Sequence, residues 1–598
     1  MDPSPLSRFG PGNRAAPHSL APQHRKRGEA RRRRYLDAAL PHVPRLLGAI
    51  DRNPYRPTYG CLDRQFWHYR TSDFPSEMYQ EGALVLAQVY RYQLPGNRWQ
   101  GEARVAELAA AAIRFAARSC HADSSCDDYY PYERALGAAV FSLAATTAAY
   151  DLLELDDPSV LRWFARRCDW LMQHDESGRL ANHQALAGLG LARAARLIGS
   201  AKIERAAEQR MRVVLDWQSG EGWFEEYGGA DPGYQTVTID CLAQYRALTG
   251  ATWLDEALTR AVAFSHSFLH PDGSYGGTYG SRGTGHFYPL GMELCATEIQ
   301  QAAELADGFL DALRSGRIAY FDDDRLVAHR LGNLIEAYRA WRPRPSSARC
   351  QRASQQIVGY PEARIVVRQQ RASQSIVSAA RGGVFTHFCE GKRVANDAGL
   401  IVEDERGRLA VSQLHDRSRR YQCDIDDVLA NGIASGDDDA DDRLDRAMAA
   451  VEVSGRLHWI RFETATPTKF VTLRLAMLLV GRWCRDVVRR LLQRRLITRR
   501  QQAPISLTRR VEFLSAPLQT PASGSPTRQP SLRVIDTIQL HDQGTRVKRM
   551  SFGTDHEAAY VAATGVYQDA ALLPWTSLDQ HLDALHSTGR VTILREFE

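Results

Sequence analysis

The spacing of apolar residues divides the chain into two regions with different predicted secondary structure. From residue 35 to about 345, apolar residues recur every three or four positions, which predicts amphipathic α-helices. Short connections join most of these segments, so we expect antiparallel helical hairpins stacked side by side. The predicted helices cover residues 80–93, 103–118, 133–153, 159–173, 184–199, 203–217, 235–248, 254–269, 291–306 and 326–341.

From residue 346 to 598 the pattern changes to an alternation with a period of two residues. This pattern, in short runs rich in β-branched residues, predicts an antiparallel β region. The octets Gln351–Val358 and Gln370–Val377 nearly repeat each other, which we interpret as a local duplication of one strand. The predicted strands lie at 363–368, 375–378, 400–402, 408–411, 449–463, 508–514, 532–540 and 557–563.

A basic segment at 467–503 interrupts the β region and is predicted to be helical. Between Lys469 and Arg500 it holds ten cations and one acid, a net charge of +9, mixed with Phe, Leu and Trp. This composition is typical of a helix that lies in a membrane interface, and contact with an anionic membrane is one interpretation. The other is a helical hairpin packed on the β region, with its arginines in water.

Composition and charge exclude several classes of protein. With 44% hydrophobic and 24% charged residues, the chain fits neither a disordered protein nor a multi-span membrane protein. The whole chain has a net charge of +6, and residues 1–34 alone carry +7. The remaining chain is therefore near neutral, at −1. We therefore predict a disordered basic tail at 1–34 and no specific nucleic-acid binding.

The cellular location is predicted from the cysteines and the N-terminus. Ten cysteines without a CxxC pair indicate reduced thiols. The N-terminus has no apolar signal region. We expect a cytoplasmic protein or one peripheral to the inner membrane, unless a wrongly chosen start codon hides an export signal.

The long connections between predicted helices hold the candidate binding residues. They are crowded with Tyr, Trp, His, Arg and Gly, whereas the helices are rich in Ala and Leu. Aromatic rings stack on sugars and Arg binds carboxylates in a bidentate fork, so these connections are candidates for glycan binding. Helix packing, ordinary helix capping and surface flexibility are the alternative interpretations. The first connection supplies Arg64, Trp67, His68 and Arg70, and a later one supplies the weaker candidates Tyr130 and Arg134.

Three further motifs follow along the helical region. Asn182 and His183 stand at the start of an Ala-rich helix. A glycine-rich loop ends in Tyr234, where a helix N-terminus would ease formation of the phenolate. Its Glu226 is a further binding candidate. Between 272 and 288, six glycines separate polar and aromatic residues, of which Tyr279, Arg282, His286 and Tyr288 are candidates for the opposite wall of a cleft.

The Asn182-His183 pair, the loop that ends in Tyr234 and the order of the two halves resemble the heparinase II/III-like polysaccharide lyases. The resemblance covers most of the chain from about residue 35 and is clearest at 60–290. It implies an incomplete (α/α) toroid at 35–345, followed by an antiparallel β-sandwich at 346–598.

The stretch from Asp63 to Pro75 is similar to that of a subgroup encoded in bacterial surface-polysaccharide clusters. The resemblance therefore implies a part in exopolysaccharide or capsule metabolism and an acidic polysaccharide or oligosaccharide as the partner. Two features depart from the family. Characterised lyases of the family are generally exported, whereas this sequence shows no signal region. The basic insert is not part of the usual sandwich.

The implied reaction is β-elimination on a uronic acid. A base removes the C5 proton, an acid protonates the 4-oxygen as it leaves, and the carboxylate must be neutralised so that charge can move into it. By resemblance, Asn182 and His183 would hold the carboxylate and His183 is a candidate base. Tyr234 would be the acid, or the acid and the base together.

Other functions stay open from the sequence. A uronate C5-epimerase would use the same proton abstraction, and a non-catalytic glycan-binding or assembly protein would use the same cleft. A glycoside hydrolase on an (α/α) toroid would need two carboxylates across a cleft, chosen from Glu225, Glu226, Asp231 and Asp240.

No cofactor is expected, and no residues are assigned as metal ligands. Members of the resembled family sometimes carry a structural zinc in the sandwich. His387, His415 and His458 are available for one, but their spacing is not that of a metal site.

Overall fold

The structure is a computed structural model of the 598-residue chain. It describes residues 22–344 and 355–598, apart from positions within these ranges at 177, 320, 322–324, 371–372, 424–448, 461–465, 482, 485–486, 489–490, 492–500, 515–529, 543 and 555–571.

The first part of the chain is helical. Its helices are α1 (Pro22–Ala39), α2 (Val43–Ala49), α3 (Arg64–Trp67), α4 (Gly82–Arg91), α5 (Ala103–Ser119), α6 (Leu136–Leu152), α7 (Pro158–Gln173), α8 (Ala181–Ile198), α9 (Ala201–Asp216), α10 (Pro232–Thr249), α11 (Asp255–His266), α12 (Pro289–Cys295), α13 (Gln300–Ser315) and α14 (Val327–Ala340).

Six of these helices form a closed inner ring. Helices α4, α6, α8, α10, α12 and α14 each pack against the next, and α14 packs against α4. Helices α6, α8 and α10 are buried on almost every side, which their small, Ala-rich faces permit. At Gly188, for example, a Cβ atom would lie 2.9 Å from Cε of Met211 on α9. The N-terminal ends of the inner helices carry the candidate site.

Two predictions about the helical region are wrong. Residues 22–34 of the predicted disordered tail belong to α1, because their arginines find partners on other helices. Arg31 pairs with Asp307 at 2.9 Å, and Arg34 pairs with Asp311 at 2.9 Å. The predicted helix at 291–306 is two helices, α12 and α13, separated by a turn.

The second part of the chain is strand-rich, so the predicted order of a helical half and a β half is confirmed. Its strands are β1 (Gln355–Tyr360), β2 (Ile365–Gln370), β3 (Ser373–Ser378), β4 (Val384–Cys389), β5 (Lys392–Asp397), β6 (Gly399–Asp404), β7 (Leu409–Val411), β8 (Arg420–Cys423), β9 (Ala449–Ile460), β10 (Gln501–Phe513), β11 (Leu532–Leu540), β12 (Val547–Gly553), β13 (Thr576–Ser577) and β14 (Arg590–Phe597).

These strands form two antiparallel sheets. The first has the order β1-β2-β3-β4-β5, and the second has the order β13-β12-β6-β7-β9-β10-β11-β14, with β8 paired to β9. Apolar residues of both sheets share one core, in which Val377 and Phe385 of the first sheet meet Val451 and Val511 of the second. The two octets that nearly repeat each other overlap β1 and β3, and these two strands flank β2 in the first sheet. The predicted strand at 557–563 lies outside the described residues.

The basic insert is helical in its first part. An α-helix, α15 (Pro467–Ala476), leads into a π-helical turn at Met477–Gly481, and helical positions continue to Leu491. The prediction of helix up to 503 is wrong at its end, because β10 begins at Gln501. One more helix, α16 (Leu582–Thr588), precedes β14. Among the described residues, no helix is long and apolar enough to cross a membrane.

The β region holds the glycine-rich segment 272–288 in place. Arg381, which is buried, donates from Nη1 to the carbonyl oxygens of Gly280 and Ser281 at 3.0 and 2.9 Å. Arg393 donates to the hydroxyl of Ser274 at 3.1 Å. Because six glycines would otherwise leave this segment many conformations, the contacts from the sheet fix which side chains face the inner ring.

Candidate active site

Asn182 lies at the centre of a fully buried hydrogen-bond network. It is the second residue of α8, and its Nδ2 donates to Oε1 of Glu226 at 2.7 Å. Arg282 donates from Nη1 to the same carboxylate oxygen at 2.9 Å. The amide oxygen of Asn182 is buried without a hydrogen-bond partner. A buried acceptor of this kind is costly, so a ligand hydroxyl or carboxyl group is a natural partner for it.

Local structure brings Glu226 to Asn182. The residue before α8, Leu180, forms a β-bridge with Glu226, and Glu226 forms a second bridge with Gly229. Burial raises the pKa of Glu226, while the Arg282 guanidinium acts in the opposite direction. Glu226 was predicted to bind substrate, but the structure makes it the buried support of Asn182 and Arg282.

Tyr234 lies beside this network at the start of α10. Asp231 caps the helix by accepting from the backbone N–H of Tyr234 at 3.0 Å, and its other oxygen accepts from the N–H of Arg282 at 2.9 Å. The Arg282 guanidinium carbon lies 4.0 Å from the centre of the Tyr234 ring. Gly233 lets the start of α10 approach Thr284 closely, since a Cβ at this position would lie 2.2 Å from Oγ1 of Thr284.

Burial opposes the ionisation of Tyr234 that the helix N-terminus was expected to ease. Burial raises the pKa of the Tyr234 phenol above its ordinary value, although the Arg282 guanidinium lowers it. The cost of desolvating a phenolate therefore outweighs the favourable charge. At neutral pH, Tyr234 keeps its proton and is suited to donate it.

His183 follows Asn182 on α8, and its ring is oriented by a carboxylate. Its Nδ1 lies 3.0 Å from Oε2 of Glu176, a buried residue in the loop before α8. A proton on Nδ1 would then be held by Glu176, which leaves Nε2 with a free lone pair. The edge of Phe141 on α6 contacts the His183 ring, with centroids 6.0 Å apart. This arrangement is suited to a general base.

A second histidine–carboxylate pair lies across Phe141. Nδ1 of His329 on α14 is 2.8 Å from Oε2 of Glu81, and Phe141 contacts the His329 ring at 5.2 Å between centroids. Nε2 of His329 is buried without a hydrogen-bond partner. Burial lowers the pKa of His329, but the carboxylates of Glu81 and Asp240 together place it above its ordinary value.

Tyr288 and His286 complete the wall between His329 and Tyr234. The Tyr288 ring contacts His329 at 5.1 Å, and the His286 ring contacts Tyr234 at 5.5 Å. Arg330 donates to Nδ1 of His286, so that nitrogen is unprotonated and the ring is a neutral imidazole with its proton on Nε2. Burial raises the pKa of Tyr288 to about 12, while Arg330 lowers it.

These contacts form one continuous cluster. Successive members touch one another. Asn182, Glu226, Arg282 and Tyr234 are joined by direct contacts, whereas His183 follows Asn182 in the chain and is linked to Tyr234 through the other members. Their catalytic roles stay predictions. In order of contact, the cluster is His183, Phe141, His329, Tyr288, His286, Tyr234, Arg282, Glu226 and Asn182.

Tyr279 does not join the cluster. Its hydroxyl is 2.9 Å from Nε2 of His270, and its ring stacks on Phe268. Its side chain belongs to the core of the protein, and a role for Tyr279 in substrate binding stays a prediction.

The first connection lies apart from Tyr234. Among the described contacts, none joins Arg64, Trp67, His68 or Arg70 to the cluster. Trp67 donates to the carbonyl oxygen of Ala49 at 2.7 Å, and the guanidinium of Arg64 lies over the Tyr69 ring. His68 contacts the rings of Trp67 and Tyr69, and Arg70 is exposed. A role for these four residues in binding a longer glycan stays a prediction.

Tyr130 and Arg134 lie in the connection between α5 and α6. Nη1 of Arg134 pairs with Asp123 at 2.6 Å, and its backbone N–H donates to Asp127 at 3.0 Å. Tyr130 is half-buried. The ion pair of Arg134 therefore orders its own loop, and direct contact of either residue with a glycan stays a prediction.

Sequence reasoning missed Phe141 and four polar members or neighbours of the cluster. Glu176 sits in a short polar turn, while Glu81 and His329 sit within helical patterns that predict packing only. His415 belongs to the β region and lies against the loop before α10. A Cβ on Gly229 in that loop would lie 2.5 Å from Nε2 of His415. No local signal marks any of these four residues, because each acquires its neighbours only when distant segments meet.

The carboxylates proposed for a hydrolase are largely engaged in structural bonds. Glu225 pairs with Arg179 at 3.0 Å, Glu226 pairs with Arg282, and Asp231 caps α10. The remaining one, Asp240, faces a different space, described next. This arrangement favours chemistry that uses Tyr and His over chemistry that uses two carboxylates.

Asp240 lines a cavity of about 140 Å³ inside the inner helical ring. The cavity extends from Phe141 and His329 towards the C-terminal ends of the inner helices. Burial raises the pKa of Asp240 to about 6, with His329 acting in the opposite direction. Its Oδ1 is buried without a hydrogen-bond partner.

The Asp240→Asn variant is expected to gain stability relative to the parent as the pH rises. The folded state binds a proton at Asp240 more tightly than the unfolded chain, so the parent loses stability as the pH rises from about 4 through 6, by roughly 3 kcal/mol in total. Asparagine cannot ionise and avoids this loss. Urea unfolding at pH 4 and pH 7.5 measures it. Asp216→Asn, at an exposed position, is the charge-removal control, and a pH-independent difference would contradict the expectation.

Comparison with known proteins finds similarity in structure only. No protein-family model and no curated protein matches the sequence. Chondroitin AC lyase from Streptomyces coelicolor, in complex with chondroitin sulphate, aligns with a TM-score of 0.49 and 11% identity, over 91% of this chain and 69% of that chain. A heparinase III aligns with a TM-score of 0.39 and 9% identity, over 88% of this chain and 72% of that chain.

A glycoside hydrolase also aligns. This family 76 enzyme from Bacteroides thetaiotaomicron has a TM-score of 0.32 and 11% identity, over 52% of this chain and 76% of that chain. Since lyases and a hydrolase both align, the similarity does not separate their chemistries. The functional argument therefore rests on the geometry of the cluster.

The three histidines considered for a structural zinc have separate surroundings. His387 bonds Ser375 at 2.8 Å, His458 faces Asp416 at 3.8 Å, and His415 lies against Gly229. Among the residues that the structure describes, no group of three or more His, Cys, Asp or Glu side chains is arranged to hold a metal ion.

Proposed function

We propose that the protein is a carbon–oxygen lyase that cleaves a uronic-acid-containing glycan by β-elimination. What supports the proposal is a protonated phenol in contact with a buried amide–guanidinium pair, together with a carboxylate-oriented imidazole at the next position of the same helix as the amide. These are Tyr234, Asn182 with Arg282, and His183. β-Elimination needs an acid, a base and a site that neutralises a carboxylate, and this cluster supplies one of each.

Asn182 and Arg282 would bind the uronate carboxylate. Glu226 takes one donor from each, which fixes their orientation but leaves the second Nδ2 hydrogen of Asn182 for a ligand. The unpartnered amide oxygen can accept a hydrogen bond when the carboxylate takes on enolic character. Because all three groups are buried, their interaction with a developing charge is stronger than in water.

His183 would remove the C5 proton and Tyr234 would protonate the leaving 4-oxygen. The C5–H electron pair forms the C4–C5 double bond as the C4–O bond breaks, so that one chain ends in an unsaturated uronide and the other in a free hydroxyl. His183 then releases its proton and Tyr234 regains one from water. No external oxidant or reductant is needed, and Glu176 keeps the imidazole aligned throughout.

The test is the formation of an unsaturated product from acidic polysaccharides. A panel of uronate-containing glycans is incubated with the protein, and ultraviolet absorbance of the new double bond is followed. His183→Ala is expected to lower the rate about 100-fold or more, as is usual when a proton-transfer group is removed. Glu176→Gln should reduce it less, because the imidazole is kept but loses the carboxylate that orients it.

Two other outcomes have defined meanings. If no unsaturated ends form but deuterium from solvent enters C5, the protein is an epimerase, which returns the proton to the other face of the sugar. If uronate glycans bind without either reaction, the protein is a glycan-binding or assembly protein and the lyase proposal is wrong. A role in bacterial exopolysaccharide or capsule metabolism is part of the proposal and rests on the resemblance of the stretch from Asp63 to Pro75.

A further inference from the structure

The start of the basic insert presents apolar side chains to solvent. Residues four apart are neighbours on a helix surface, so exposed residues at this spacing form a continuous stripe. The side chains of this stripe are each about half exposed or more, whereas monomeric soluble proteins rarely expose large contiguous apolar patches. The stripe consists of Leu475, Leu479, Trp483, Val487 and Leu491. Phe470, Val471, Leu478 and Val480 extend it.

The insert is held to the helical region on its other side. Arg474 pairs with Asp73 at 3.0 Å, and its guanidinium lies 5.4 Å from the centre of the Phe74 ring. Met477 is fully buried, and Thr466 caps α15 by accepting from the N–H of Lys469 at 3.3 Å. The insert therefore has a defined anchor, where Leu475 and Leu478 line a cavity shared with Phe74. Leu479, Trp483 and Leu491 are the most exposed members of the stripe.

This arrangement is the reverse of a hairpin packed on the β region. In such a hairpin the apolar residues would be covered and the arginines would lie in water. Here Arg474 is partly buried, while Phe470 and Leu475 are about half exposed. The described contacts of Arg474 go to the helical region, not to the sheets.

Charge identifies the surface that would cover the stripe. Between Lys469 and Arg500 the sequence carries ten cations against one acid, whereas residues 35–598 together are close to neutral. Apolar side chains, among them an exposed Trp, that alternate in the sequence with many cations match the two layers of an anionic lipid surface, which has acyl chains below phosphates. A protein partner of ordinary composition would need a large acidic surface to match this charge.

We propose that the stripe and its cations dock the protein onto an anionic membrane surface, where it would lie without crossing. The helical region would then be held at the membrane through the Arg474–Asp73 contact, beside the connection that contains Phe74. Docking is independent of the lyase proposal, because none of the stripe residues contributes to the cluster around Tyr234.

The experiment measures co-sedimentation of the full chain with vesicles. Vesicles of phosphatidylcholine with 30% phosphatidylglycerol, on the order of a biological anionic content, are compared with pure phosphatidylcholine at low and high salt. We expect binding to the anionic vesicles only, with most of it lost at high salt. The Leu479→Ser/Trp483→Ser variant should bind at least about tenfold more weakly, since two large apolar contacts are lost.

A matched variant controls for the loss of exposed apolar residues in general. Leu572→Ser/Trp575→Ser makes the same two changes at exposed positions outside the insert and should bind as the parent does. Arg489→Glu/Arg490→Glu should weaken binding at low salt. Quenching of Trp fluorescence by brominated lipids provides a second measurement, expected in the parent and reduced in Trp483→Ser, so that a poorly folded double variant does not decide the result.

Three results would overturn the proposal. The first is an absence of binding to anionic vesicles. The second is equal binding to neutral and anionic vesicles, which would remove the role of charge. The third is a parent dimer in solution that Leu479→Ser/Trp483→Ser converts to a monomer, without vesicle binding by either. That result would show that a second copy of the chain covers the stripe.

Discussion

Tyr234→Phe is expected to lower the rate of unsaturated-product formation about 100-fold or more while leaving substrate affinity nearly unchanged. Phenylalanine keeps the ring that contacts His286 and lies beneath the Arg282 guanidinium, and it deletes only the hydroxyl. The leaving 4-oxygen would then depart without a proton. Initial rates by ultraviolet absorbance and affinity by calorimetry measure the two quantities separately.

Tyr245→Phe provides the matched control for this change. Tyr245 is buried on the same helix, α10, but its ring contacts Trp253 in the next connection and not the cluster. Its variant should keep the parent rate. If Tyr234→Phe retained more than about a third of the parent rate, Tyr234 would not be the acid, and His286 would be the next residue to test.

Glu226→Gln is expected to lower the free energy of unfolding by about 3–5 kcal/mol, because it leaves the Arg282 guanidinium buried without its counter-charge. Both side chains are almost fully buried and their contact is 2.9 Å. The change should also reduce activity, since Asn182 loses the charged acceptor that orients its amide. Urea unfolding followed by helical circular dichroism measures the stability.

The double variant Glu226→Gln/Arg282→Met separates stability from function. Replacing the second charge by an apolar side chain removes the unpaired guanidinium, so most of the lost stability should return. Activity should not return, because the carboxylate-binding donor is gone. A single variant as stable as the parent would contradict the buried-charge argument, and recovery of activity in the double variant would contradict the role of Arg282.

Much of the architecture could be predicted because the relevant signal is local. Apolar residues at a spacing of three or four located α5, α6, α7 and most other helices to within a few residues. The alternation of apolar and polar residues located strand β11, which was predicted at 532–540 and is found at Leu532–Leu540. The failures have a physical cause in each case. The arginines of α1 resemble a solvated tail until Asp307 and Asp311 meet them.

The candidate site was predictable only in part. Asn182, His183 and Tyr234 lie at helix starts after glycine-rich or polar connections, which is where binding residues concentrate, and the loop composition marked them. Glu176 and His329 carry no such mark. The sequence also could not show that Tyr279 turns into the core, because that depends on His270 and Phe268 lying beside it.

The sequence by itself determined the order of a helical and a β region, the approximate bounds of most helices, and the loops that hold the candidate chemistry. These features depend on neighbours within a few positions. The tertiary structure alone decided the partner of each titratable group: Glu226 for Asn182, Glu176 for His183, and Arg282 for Tyr234. Burial and charge act over a few ångströms in space, so the protonation of Tyr234 depends on distant segments that only folding brings together.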